Sequence, residues 1–281
     1  MIVRWDDPVA KYSKLFFGLL LALPELYGAS RLDSRETSAT ARGYQELYRD
    51  WHIDRAVRIF RDAIRANPRD PAARIGYSES LTAAARHVEA VAEAESAVRV
   101  DNASALSVAT YGRALFFAGR YKEAAVQLLR SIRLREDALA RVWLARTYDQ
   151  MGRYDLAIAQ DRIAIAAPGR HRADAVASLG CSLAGRGDTA SARAILGALE
   201  EQGGKAAFGA ALVAAAIGEH DRAFQSLDRA VLARSEFIAF LAVDPHLETL
   251  REDARFRRLL SRIQLEPERY LGRLAALAPS G

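Results

Sequence analysis

The feature that most constrains this chain is a small residue that returns at a nearly fixed interval inside short amphipathic segments. The segments run over residues 55–68, 89–102, 123–136, 156–168, 191–203 and 222–233. Each carries an alanine at its second place, giving Ala56, Ala90, Ala124, Ala157, Ala192 and Ala223, with intervals of 34, 34, 33, 35 and 31. A period of about 34 residues is the length of one helix-turn-helix unit. Such a unit cannot bury its apolar face alone, so the repetition predicts a stack in which each unit is the core of the next.

Seven positions after each alanine stand Ala63, Ala97, Ser131, Ala164, Leu199 and Ala230, most of them small. Between them lie the larger Phe60, Leu128, Leu196 and Leu227. A spacing of seven puts both small residues on one helix face, where neighbouring helices can approach closely. Gly119, Gly152, Gly187 and Gly218 precede four of the alanines by five positions, as expected for the left-handed residue closing the first helix of a hairpin. Upstream stripes such as Val108, Tyr111, Gly112 and Leu115 define that first helix, and Pro68 and Pro168 end second helices.

These residues resemble the tetratricopeptide repeat (TPR) family over about residues 37–234, read as six units. The fullest matches carry Gly112, Gly119, Tyr121 and Ala124, then Trp143, Ala145, Gly152, Tyr154 and Ala157. Ser78 and Ala211 depart from the pattern in weaker units, and Asp161 stands where a large apolar residue is expected. The resemblance implies an all-α, right-handed α-solenoid of six helical hairpins with capping helices at both ends. It also implies a protein-interaction scaffold instead of an enzyme.

The flanks divide the chain into residues 1–36, 37–234 and 235–281. In the last part, Asp244 and Pro245 mark a turn, after which Phe256, Leu259, Leu260 and Ile263 recur at helical spacing, suited to a cap. Val243, Asp244, Pro245, Leu247, Leu250, Arg251, Asp253, Arg255 and Phe256 also resemble the tail of repeat regions in bacterial regulators, among them winged-helix transcription factors and adenylate cyclases; Ala254 departs from that motif. In the first part, Leu15 to Leu23 form an unbroken apolar run between Lys14 and Pro24. It reads either as a helix docked on the first unit or as a signal or anchor, and is short of the ~20 apolar residues of a membrane span. The expected location is therefore cytoplasmic, or membrane-associated or exported if residues 1–30 act as a signal or anchor.

Basic residues number 40 against 35 acidic ones, and only Lys11, Lys14, Lys122 and Lys205 are lysines. The arginines are interleaved with Asp and Glu, which describes a solvated helix face more than a nucleic-acid patch. Cys181 is the single cysteine, so no intrachain disulfide forms, and the five histidines are scattered, suggesting no metal site. No phosphate-binding glycine loop or nucleophile elbow occurs, so neither cofactor nor catalytic residue is expected.

What remains is the concave groove lined by the first helices. Repeat alignment selects Tyr48, Arg49, Glu79, Arg113, Phe116, Arg146, Asp149 and Gln150 as its contact positions. Arg113 and Arg146 are equivalent in adjacent units and could receive a carboxylate, with aromatic residues beside them as anchors. Equally, Phe116 and Phe117 could pack into the core while the arginines pair with Glu79 and Asp149. The expectation is a protein or peptide partner held in that groove; the alternative is a sensory module of a bacterial signalling system.

Overall fold

The computed structural model describes residues 34–275; the apolar run at 15–23 lies outside them. Helices follow one another as hairpins: α1 (Ser34–Tyr44), continued by a π-helical turn over Gln45–Arg49, and α2 (Ile53–Ala66); α3 (Pro71–Ala83) and α4 (His87–Val100); α5 (Ala105–Phe117) and α6 (Tyr121–Leu134). The remaining pairs are α7 (Ala138–Gln150) with α8 (Tyr154–Ala166), α9 (Arg172–Gly185) with α10 (Thr189–Glu201), and α11 (Ala207–Ala216) with α12 (His220–Leu232). Two 3-10 stretches, Glu236–Phe240 and Pro245–Leu250, lead to α13 (Ala254–Arg262) and α14 (Pro267–Ala275). No strand occurs among the described residues.

The periodic alanines carry this architecture. Ala56, Ala90, Ala124, Ala157, Ala192 and Ala223 are all fully buried, each where the second helix of a hairpin crosses the first. The approach is close: a Cβ on Gly112 of α5 would lie 2.7 Å from the Leu128 side chain of α6. Ser78, which stands at the corresponding place in α3, fits because its hydroxyl donates to the Ala90 carbonyl at 2.8 Å. First helices start on side-chain caps at repeat spacing, with Asp70, Ser104 and Asp137 accepting from backbone N–H groups one turn ahead.

The hairpin turns follow one design. Gly119, Gly152, Gly187 and Gly218 all have φ between 68° and 94°. After each, the next backbone N–H closes the preceding helix, as from Arg120 to the Leu115 carbonyl at 2.9 Å. In the first two units the same place is taken by Trp51 (φ 57°) and Ala85 (φ 55°). Packing holds those residues in a conformation that disfavours any side chain.

The array curls until its end meets its beginning. Arg234, just after α12, donates to the Arg49 carbonyl at 3.1 Å, with its guanidinium over the Trp51 ring. Arg269 of α14 grips Asp54 of α2 through two bonds of 2.6 and 3.0 Å. Arg273 donates to the Ala84 carbonyl. The C-terminal part is thus more than a pair of helices on the last repeat: α13 lies against α12, α14 reaches back to α2 and the turn after α3, and residues 236–250 enter the concave side.

Candidate functional site: the concave groove and its occupant

Inner-facing side chains of the first helices line the groove, because the second helices hold the other face of each first helix. At its start, Tyr48 lies beside Tyr44 and 6.1 Å from the ring of Phe240. Burial pushes the Tyr48 phenol well above its ordinary pKa, with the Glu79 carboxylate adding to that and Arg113 opposing it. Arg113 of α5 donates to Glu79 of α3 at 2.8 Å, across adjacent units. Its guanidinium lies 5.0 Å from the Trp143 ring and 5.8 Å from Phe240. Of the two alternatives for Arg113, the pairing with Glu79 is therefore the one observed, inside the groove wall.

Arg146 departs from expectation. Its Nη2 reaches both carboxylate oxygens of Asp244 at 2.7 and 2.6 Å, and the partner foreseen on its own helix, Asp149, turns to His246 instead. The arginine and Asp244 are both nearly inaccessible to solvent. The guanidinium lies 4.6 Å from the Trp143 ring and 5.4 Å from Phe116, an aromatic cradle that fixes it in place. Burial works against ionisation of Asp244, but Arg146 and His246 overcome it and hold the carboxyl well below its usual range.

His246 completes the cluster. Its Nε2 lies 3.0 Å from Asp149 Oδ2 and its Nδ1 3.2 Å from Asp244 Oδ1, while its ring stacks on Phe116. Gln150 points its amide at the same ring at 3.5 Å and accepts from the Tyr121 hydroxyl at 3.3 Å. Phe116 itself is fully buried, and Phe117 stacks on Phe240 at 5.4 Å. Of the positions selected by alignment, Tyr48, Glu79, Arg113, Phe116, Arg146, Asp149 and Gln150 all face or underlie residues 236–250. Arg49 alone is exposed, and its carbonyl accepts from Arg234 where the array closes on itself.

The groove is therefore occupied, and by this chain. The segment contributes Ile238, Phe240, Leu241, Val243, Leu247 and Leu250, all buried. At about 1.5–3 kcal/mol for each large apolar side chain, its docking is on the scale of a whole domain's stability. Alignment missed Phe240, Asp244 and His246. The signal available was an acidic residue in an apolar run, Ala242–Val243–Asp244–Pro245, whose charge requires a buried cation. Beside the segment a small cleft of about 30 Å³, partly open to solvent, is left between α7, α9 and α11, with Val142, Trp143, Cys181, Phe208 and Phe237 on its walls. Burial pushes the Cys181 thiol well above its ordinary pKa, which leaves it a packing residue.

Hairpins of this length, closed by left-handed glycines and packed through buried alanines, define an α-solenoid of helical repeats. Sequence comparison agrees: the tetratricopeptide repeat model matches residues 45–105, 111–171 and 178–236, and the chain belongs to that family. Among solved structures, the type IV pilus biogenesis factor PilW is similar at 15% identity, over 78% of this chain and 99% of that one, with a TM-score of 0.55. PilF of Pseudomonas aeruginosa is similar at 18% identity, over 81% and 97%, with a TM-score of 0.52. The Cut9–Hcn1 assembly of the APC/C is similar at 19% identity, over 90% of this chain and 46% of that one, with a TM-score of 0.54. At such identities the likeness concerns the fold. No curated protein matches the sequence.

Proposed function

We propose that this chain is a non-catalytic interaction scaffold that holds a protein or peptide partner, with the concave groove as its recognition surface. The observation that carries the reading is the way the groove takes up residues 236–250. A polypeptide segment of two short 3-10 stretches lies across four successive units, its carboxylate on Arg146 and its aromatic ring on Phe117 and Arg113. A surface that binds one such segment in cis has the chemistry to bind another: a cation at the floor, aromatic walls and preformed helices.

Photo-crosslinking separates the groove from the outside of the array. A photoreactive residue is placed at Arg49, the exposed one of the positions selected for the groove, and in a second variant at Val126, 58% exposed on the outer helix α6. A partner captured from lysate and cross-linked at Arg49 supports the groove. A partner that cross-links only at Val126 moves the recognition surface to the outer helices and sinks this reading.

The second reading, a sensory module of a bacterial regulator, draws on the tail motif at 243–256. Its residues serve the fold directly. Asp244 pairs with Arg146, Val243, Leu247, Leu250 and Phe256 are buried, and Asp253 caps α13. The motif thus follows from closing the groove and adds no weight to an effector domain.

A further inference from the structure

The cluster around His246 is built as a charge balance with one adjustable member. Arg146 is committed to Asp244 through both carboxylate oxygens. Asp149 has no such cation: its Oδ1 is buried without a partner, and its Oδ2 meets only His246. With His246 protonated, two cations face two carboxylates. With it neutral, the buried cluster keeps one uncompensated negative charge, which a low-dielectric interior disfavours.

We propose that His246 is a proton-dependent latch: its imidazolium holds residues 244–250 on α7 through Asp149, and loss of that proton releases them from the groove. The groups facing it come from every neighbouring element. From α7 these are Asp149, Arg146 at 3.2 Å and Gln150; from its own segment, Asp244. From α5 the Phe116 ring stacks on it, and from α6 the Tyr121 hydroxyl reaches it through Gln150. Arg251 donates to the Asp244 carbonyl behind it. Toward α9 the same cleft is lined by Cys181, Ser178 and Asp174, the last tied to His171 at 3.0 Å; toward α11 it is lined by Phe208 and Leu212.

Burial and Arg146 both oppose protonation of His246, yet the hydrogen bonds to Asp149 and Asp244 prevail and raise its pKa above the ordinary 6.5. A group raised in the closed state contributes its full docking energy below pH 6.5 and loses it as pH rises through the closed-state value. In that window the opening constant grows up to about tenfold per pH unit. Residues 236–243 are held by apolar contacts and carry no titrating group but Glu236, so the pH dependence is confined to residues 244–250, which Leu247 and Leu250 also hold by burial.

The latch concerns docking of the segment; that its release admits a partner rests on the function proposed above. The test is hydrogen exchange of the full chain from pH 6 to 9, expressed as protection factors for amides 246–250 against those of α5, together with the NMR titration of the His246 ring. Protection falling with pH only at 246–250 supports the latch. His246→Gln should abolish the dependence, and Asp149→Asn should move its midpoint to lower pH. A ring that titrates at or below 6.5, or a His246→Gln chain whose protection varies with pH as the parent's does, overturns it. Partner cross-linking from a photoreactive residue at Gln150 distinguishes the two ideas: if protection falls while cross-linking stays flat, the latch stands and the groove reading fails.

Discussion

Arg146 and Asp244, 98 residues apart in sequence, form a buried ion pair whose closest contact is 2.6 Å. The pair joins the fourth unit of the array to the segment that fills its concave side. It therefore gives Arg146 a structural role, holding that segment to the array.

Removing one partner of that pair should be far worse than removing both. Arg146→Met leaves the Asp244 carboxylate buried without its cation, at a cost of about 3–5 kcal/mol. Adding Asp244→Asn, which keeps the cap on the His246 backbone, should restore at least half of the loss. Urea-unfolding midpoints of the single and double variants decide the matter; a double variant no more stable than the single would show that the two side chains do not depend on each other. By the same reasoning, charge reversal at Arg113 and Arg146 together should unfold the chain, since each new carboxylate would face an existing one, Glu79 or Asp244.

Two glycines separate backbone conformation from packing. An added Cβ meets nothing within 4 Å at either Gly119 or Gly197, but Gly119 has a φ of 72° whereas Gly197 lies within α10. Gly119→Ala should destabilise the chain by about 1–2 kcal/mol. Gly197→Ala should stabilise it by up to ~1 kcal/mol, the difference in helix propensity. Thermal melts of the two variants moving in the same direction would contradict the hairpin geometry.

His87 sets the acid limb of the stability profile. Burial, with Arg251 adding to it, lowers the pKa of His87 to about 4 from 6.5. The unfolded chain binds a proton in that interval and the folded chain does not, so stability falls as pH drops from 6.5 toward 4, by up to about 1.4 kcal/mol per pH unit. His87→Leu should flatten this limb. Denaturant titrations at pH 4.5 and 6.5 give the slope, and an unchanged slope in the variant would assign acid sensitivity to other groups.

Asp161 carries the opposite sign. It is fully buried on α8 opposite Ser182 of α9, and burial raises its carboxyl pKa well above the ordinary 3.8. The folded chain keeps a proton that the unfolded chain releases, so this group's contribution is present below pH 3.8 and is lost as pH rises toward the folded value. Asp161→Leu, which restores the apolar residue usual at this place in the repeat, should raise stability at neutral pH by roughly 1 kcal/mol, after the loss of the serine contacts. If the variant is less stable than the parent at pH 7, the acid is needed for packing between α8 and α9.

The repeat register could be read from the chain because it is a local property written six times. A buried alanine between crossing helices and a glycine with positive φ each leave a residue type at a fixed place. Where the type fails, the reading fails with it: Trp51 and Ala85 adopt the left-handed turn without a glycine, because packing in the first two units overrides their local preference. The candidate groove positions were likewise found by alignment between repeats. Their occupant was not, since residues 236–250 repeat nothing.

By itself, then, the sequence determined the period, the hairpins, the buried small residues and the inward faces of the first helices. These depend on contacts within one unit or between adjacent ones, and such contacts impose periodic residue choices. Only the tertiary structure decided that the array curls until Arg234 meets Arg49, that Asp244 rather than Asp149 takes Arg146, and that the concave side is filled by the chain's own segment. Those contacts span 98 to 185 residues and occur once each. A single long-range contact is selected by shape and charge balance in the folded molecule and leaves no periodic trace in the chain.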